Sequence, residues 1–250
     1  NLLEDRVELS KKSGFSTEKA TENLEGVINS LDRDKFVELL AHAGYIPDLY
    51  GDDSSEETLY SKFVELLTCI WAKKIGFDRS YLPTKKSGTE DITIQDKNYL
   101  IVSDAKSHRL SRSSFAPNPK DALKPGDFEN WKLKHEGRTV LGGLITFPAM
   151  HEWKRGSIVH TYLTDKKNKI CLLYYGHMSA ILKFNIKKDA FVKYFSEFED
   201  IYPNKIESPA EAKEVYYANV RNRFFCDCLD EYDEYMDSLK NINREILKKS

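Results

Sequence analysis

Residues 89–106 constrain the fold more than any other stretch of the chain. Leu100, Ile101 and Val102 are apolar and β-favouring, which makes this run a buried strand. Upstream, Ile92 to Gln95 reads as a second, shorter strand, and Asp96-Lys97-Asn98 between them reads as a turn, so the two are expected to form a hairpin. The longer strand ends abruptly in Asp104-Ala105-Lys106. Side chains alternate faces along a strand, so Asp104 and Lys106 share one side and Ala105 takes the other. Asp91 stands where the first strand begins. Two carboxylates at the mouth of a hairpin suit a hard divalent cation, and a lysine beside them suits a phosphate or an attacking water. The same residues also describe an ordinary ion pair at a strand end, since Asp-x-Lys arises by chance in many chains.

The flanking thirds read as helical. Leu24, Val27, Ile28 and Leu31 follow helix spacing. Asp32 is placed to cap a second helix carrying Phe36, Leu39, Leu40 and Ala43, with Gly44 as its stop. Ser54 and Glu57 form a capping box that opens a longer helix with a buried stripe of Tyr60, Phe63, Val64, Leu67, Ile70 and Trp71, ended by Gly76. After the hairpin, Ser111 to Pro119 is a loop and Phe128 to Lys134 a short helix. Val140 to Phe147 is a buried strand interrupted by Gly142-Gly143, where a bulge or a close backbone approach is expected. Ile158 to Leu163 alternates in part, Ile170 to Tyr175 is a further strand, and His177 to Phe184 a helix. Ser208-Pro209-Ala210-Glu211 opens a C-terminal helical region running toward Leu247. The order predicts an α/β domain over residues 1–250. A helical part (1–78) and a helical end (187–250) enclose a sheet core (79–186), a mixed sheet flanked by helices.

Composition narrows the functional classes. Hydrophobic residues make up 40% and charged residues 31% of the chain, a balance that builds a core. No apolar run reaches membrane-spanning length, and Asn1-Leu2-Leu3-Glu4-Asp5-Arg6 is no signal peptide, so no membrane role is expected. Cys69 and Cys171 sit in apolar runs. Cys226 and Cys228 form a single Cys-x-Cys on an expected helix, with no second pair for zinc. A reduced, intracellular protein fits. The net charge of −2 argues against a general nucleic-acid binder. However, residues 97–138 carry nine Lys/Arg against five Asp/Glu, and residues 195–237 carry twelve acidic against four basic. One positive face on a near-neutral protein is enough for phosphate. Nucleotide-binding glycine motifs and a Gly-x-Ser-x-Gly elbow are absent, so no nucleotide cofactor is expected.

Around the hairpin, Glu65 lies on the capped helix, off its apolar stripe, where packing could turn it toward Asp91; an exposed helix glutamate is the alternative. Ser107, His108, Arg109, Ser111 and Arg112 follow Lys106 on an expected irregular segment. Arginine forks clamp phosphates and read guanine edges, and serine donates to phosphate oxygens. His108 is also the right residue type for a general base, though it lacks a partner at catalytic spacing. Lys120 and Lys132, with Lys124 and Lys134, flank the short helix and could track a backbone. Trp131 reads as a core anchor.

The arrangement Asp91 … Asp104-Ala105-Lys106 resembles the PD-(D/E)XK nuclease signature, with Glu90 where the leading Pro often stands. The run Val102 to Arg112 is similar to the active-site strand of HindIII-type restriction endonucleases. The likeness extends through Leu31-Asp32-Arg33-Asp34 with the Val37-Glu38-Leu39 helix, Leu59-Tyr60-Ser61-Lys62 and the Trp131 region. It continues in Leu172-Leu173-Tyr174-Tyr175, the Ala180-Ile181-Leu182 helix and the Ala210-Glu211 helix. This resemblance implies a restriction-endonuclease-like fold and a homodimer in the bacterial cytoplasm. It also implies Mg²⁺-dependent cutting of both strands of a palindromic DNA site to leave 5'-phosphate ends. Asp91, Asp104 and the Ala105 carbonyl would hold the metal, Lys106 would orient the water, and Glu65 falls on the helix that often adds an acidic group. A repair or junction-resolving nuclease with the same signature, or a DNA-binding protein with an inactive site, are the other readings of these residues.

Overall fold

The computed structural model describes residues 17–47, 50–51, 54–84, 88–109, 125–148, 169–201 and 208–249. Along the chain come helices α1 (Thr17–Ser30) and α2 (Arg33–Ala41), strand β1 (Tyr45–Ile46) and helix α3 (Ser55–Ile75). Strands β2 (Ile92–Gln95), β3 (Tyr99–Ala105) and β4 (His108–Arg109), helix α4 (Pro125–Lys134), and strands β5 (Thr139–Phe147) and β6 (Ile170–Tyr174) follow. Helices α5 (Tyr175–Lys183), α6 (Lys188–Ser196), α7 (Phe198–Ile201), α8 (Pro209–Phe225) and α9 (Leu229–Lys249) complete the order.

The helix ends obey local chemistry. The Asp32 carboxylate accepts the Lys35 N–H, Ser54 Oγ accepts that of Glu57, and Ser208 Oγ accepts that of Glu211. Each cap satisfies an otherwise orphaned donor and stabilises its helix by about 1 kcal/mol. Helix α2 stops at Ala41, short of Gly44, with His42 as its cap. Cys226 and Cys228 lie at the break between α8 and α9, not within a helix. The expected loop 111–119 and strand 158–163 lie outside the described residues.

Strands β2, β3, β5 and β6 form one mixed sheet in the order β2-β3-β5-β6, antiparallel at β2/β3 and parallel at β3/β5 and β5/β6. The hairpin is therefore as expected, with Ile92 opposite Ser103. Gly142 and Gly143 do both things foreseen for them. The ladder slips between Leu100 and Ile101, where β5 carries an extra residue. A Cβ on Gly142 would lie 2.2 Å from the Lys169 carbonyl and 2.5 Å from the Phe195 ring, and one on Gly143 would lie 2.5 Å from Phe128. Neighbouring residues face opposite sides of a sheet, so α4, carrying Phe128, and α6, carrying Phe195, cover the two faces of β5. Helix α3 packs on β2 and β3 and shares the α6 face through Trp71 and Phe191, whose rings stand 5.6 Å apart. The fold is thus α/β, a mixed sheet with helices on both faces. One continuous apolar core extends from Leu24 to Leu239.

A second sheet, absent from the sequence reading, joins β1 and β4 in parallel, Tyr45 to His108 and Ile46 to Arg109. The segment after Lys106, read as irregular, is extended and paired at His108 and Arg109. Two-residue strands carry no periodicity to read.

Candidate active site

The strand that carries Asp104 runs in the middle of the sheet, with β2 on one side and β5 on the other, so its end is held from both flanks. Asp91 extends the antiparallel ladder one step beyond β2, its N–H donating to the Ser103 carbonyl at 3.0 Å. Its carboxylate then accepts the Ala105 N–H through Oδ2 at 3.1 Å. These two bonds fix Asp91 across the strand end, and the Asp91 and Asp104 carboxyl groups make contact. Lys106 closes the group: its Nζ lies 2.7 Å from Asp104 Oδ2. The three residues singled out from the sequence therefore converge.

Burial dominates the electrostatics of this cluster. Asp104 is 6% exposed. Desolvation, and then the neighbouring Asp91, push its carboxyl up to about 8, against the opposing pull of Lys106. A buried carboxyl pushed upward next to a second carboxyl marks a place short of positive charge.

Helix α3 borders the same region. Ser61 Oγ stands 3.3 Å from Ser107 Oγ, tying the helix to the chain just after Lys106. One turn on, Glu65 is buried and accepts Lys62 Nζ at 2.7 and 2.5 Å through its two oxygens. It is not an exposed helix glutamate. Among the described residues no three His, Cys, Asp or Glu side chains gather in metal-binding geometry, with Glu65 or without it. Its local partner is a lysine three positions away, which satisfies its charge within the helix.

The remaining candidates divide. Ser107 lies beside the cluster. His108 is buried in β4, its N–H donating to the Gly44 carbonyl at 2.9 Å, which removes it from a solvent-facing DNA loop. Arg109 follows it in β4, and Ser111, Arg112 and Lys120 lie outside the described residues. Lys132 pairs with Glu129 on the same helix turn, a weak surface contact that a phosphate can replace. Trp131 packs its ring 4.8 Å from that of Phe128, as a core anchor does.

Two groups of neighbours escaped the sequence. Glu90, in the position of the signature's proline, is buried, with Oε1 accepting Thr93 Oγ1 at 2.7 Å and meeting His135 Nε2 at 2.6 Å. It fastens the segment bearing Asp91 to the end of α4. Tyr175, at the start of α5, is fully buried and donates its hydroxyl to the Lys106 carbonyl at 3.0 Å. The Glu90–His135 and Tyr175–Lys106 contacts have no sequence signal, because those partners lie 45 and 69 residues apart along the chain.

Comparison with known proteins points one way. The model of the HindIII restriction endonuclease family matches residues 1–250. The type II restriction enzyme HindIII of Haemophilus influenzae is 23% identical over 232 residues, covering 92% of this chain and 70% of that enzyme. Among solved structures, the small subunit of the heterodimeric restriction endonuclease R.BspD6I aligns over 76% of this chain and 98% of its own. Its TM-score is 0.47 and its identity 10%.

Proposed function

The chain belongs to the HindIII restriction endonuclease family, and we propose that Asp91, Asp104 and Lys106 are the centre with which it cuts DNA. The protein is a type II restriction endonuclease, acting on double-stranded DNA. The observation that carries the site assignment is the pair of contacting carboxyl groups at the end of β3, with an ammonium 2.7 Å from one of them.

These residues fit a divalent cation. Both side-chain donors are hard carboxylate oxygens, and the upward push on Asp104 from burial and from Asp91, with Lys106 beside it, shows a demand for positive charge that a cation would meet. Asp91, Asp104 and the Ala105 carbonyl would hold Mg²⁺, which when bound supplies charge neutralisation at the scissile phosphate and acidifies water. Lys106 can exchange its hydrogen bond with Asp104 for one to the attacking water or to a phosphate oxygen, holding the nucleophile in line. Asp104, whose carboxyl burial pushes up, would coordinate in its deprotonated form. The Asp91 carboxylate stays anchored by the Ala105 N–H, so it needs little reorganisation. Glu65 is kept outside this set, charge-matched by Lys62.

Ser107, Arg109, Ser111, Arg112 and Lys120 are assigned to DNA. Lys132, whose surface ion pair exchanges readily, is assigned with them, and the buried His108 is not. A palindromic site has two equivalent scissile bonds, so two copies of the chain related by a two-fold axis place one centre on each strand. The whole chain is taken as one nuclease domain working on cytoplasmic DNA.

Digestion of a sequenced plasmid tests the reading. Discrete fragments with Mg²⁺, none in chelator, and ends that ligate without kinase treatment are expected. Cutting in chelator would refute the metal assignment. Failure to cut plain duplex while nicking branched DNA would refute the restriction activity.

A further inference from the structure

Lys106 occupies an unusual place in the backbone. Strand β3 ends at Ala105, and two residues later, at His108, the chain enters the other sheet by pairing with β1. Lys106 is therefore the last residue bonded into the β3/β5 ladder before a crossover between sheets, and its backbone dihedrals set where the chain and its side chain go next. Here they are held from both sides. The Lys106 N–H donates to the Thr146 carbonyl of β5 at 2.8 Å, and its carbonyl accepts the Tyr175 hydroxyl at 3.0 Å. The hydroxyl is oriented in turn by Thr146 Oγ1, which donates to it at 3.2 Å.

Tyr175 is itself tightly seated. A Cβ on Gly44 would stand 2.4 Å from its ring, so the glycine backbone lies flat against the aromatic edge. The Gly44 N–H donates to Tyr60 Oη at 3.1 Å and its carbonyl receives the His108 N–H. The same glycine thus backs the tyrosine and starts the second sheet. Burial holds the Tyr175 phenol well above its usual range, so it remains a donor.

We propose that Tyr175 is a positioning residue for DNA cleavage: by fixing the Lys106 carbonyl at the crossover, its hydroxyl sets the direction in which the Lys106 ammonium leaves the backbone. This rests on the assignment of Lys106 to the reaction made above. Tyr175 touches neither DNA nor the reacting atoms and acts through Lys106 alone.

The test compares two variants of the same network. Tyr175→Phe keeps the ring and removes the bond to Lys106. Thr146→Val also deletes one hydroxyl but leaves Tyr175 bonded to Lys106. Single-turnover plasmid cleavage is measured with each, beside Ca²⁺-supported DNA binding and thermal melting. Tyr175→Phe should lower the cleavage rate at least tenfold with KM and DNA affinity within twofold of wild type, whereas Thr146→Val should cut within threefold of the wild-type rate. Wild-type cleavage by Tyr175→Phe, or equal slowing by both variants, overturns the proposal. Should Tyr175→Phe fail to fold, fluorotyrosine at position 175 keeps the shape and alters donor strength. An unchanged rate there overturns the proposal as well. If the wild-type protein itself does not cut DNA, the assignment of Lys106 falls and takes this inference with it. If it cuts and Tyr175→Phe cuts equally, only this inference falls.

Discussion

Replacing Asp104 by asparagine should abolish cleavage and at the same time stabilise the metal-free protein, most strongly at high pH. In the folded chain, burial and then Asp91 raise the Asp104 carboxyl from 3.8 to about 8. Between those values the folded protein keeps a proton that the unfolded chain releases. Unfolding therefore becomes easier as pH rises, with the penalty absent below about 4 and complete above about 8. At about 1.4 kcal/mol per pH unit the full swing is at most about 6 kcal/mol. A neutral amide avoids it but loses the charged bond to Lys106, a loss of roughly 1–3 kcal/mol. The net gain at pH 8 is then about 3–5 kcal/mol, or roughly 6–20 °C in melting temperature for a chain of this size. At pH 4.5 the gain should vanish or reverse. Thermal melts in chelator at both pH values, beside plasmid digestion with Mg²⁺, provide the assay. Mg²⁺ should raise the melting temperature of the wild type and leave that of the variant unchanged. Equal destabilisation of Asp104→Asn at both pH values would show that Asp104 is an ordinary ion-pair partner and would refute the argument.

Lys106→Ala should reduce cleavage by about 10²- to 10³-fold while Ca²⁺-supported DNA binding in a gel shift persists, since it removes an interaction made mainly in the transition state; retained cutting would withdraw the assignment. His177 titrates in the opposite sense to Asp104. Buried beside Tyr174, with ring centroids 3.6 Å apart, its imidazole is held down to about 3 by desolvation, so the unfolded chain binds its proton first. Stability should therefore fall as pH drops from 6.5 toward 3, by up to about 5 kcal/mol. His177→Phe should flatten that slope in urea melts at pH 6.5 and 4, and an unaltered slope would exclude His177 as its source. Gly143→Ala should destabilise by about 1–3 kcal/mol through its collision with Phe128. Phe128→Leu in the same chain should recover part of that loss, and full additivity of the two changes would disprove the contact.

The hairpin, the capped helices and the glycine pair were legible because each rests on residues close in sequence. Ser54 and Glu57 are three apart, and Asp91 faces Ser103 across a single turn. The convergence of Asp91, Asp104 and Lys106 followed from the same local rule, alternation along one strand plus one reversal. What sequence did not disclose depends on distant partners. Glu65 looked exposed because its i±3 and i±4 neighbours include Ser61 and Lys62, yet the face those residues occupy packs toward Ser107 and is buried. His108 looked like a loop residue because Gly44 lies 64 positions upstream, and only the fold makes that glycine the start of a strand partner. Tyr175 looked like the end of an apolar strand, with nothing to indicate that its hydroxyl meets Lys106 at 69 residues' separation. The chemistry of a strand ending in Asp-Ala-Lys is thus written locally. The direction of its lysine is not, because the last rung of the ladder holds only the Lys106 N–H, and its carbonyl is held by a buried hydroxyl far away in sequence.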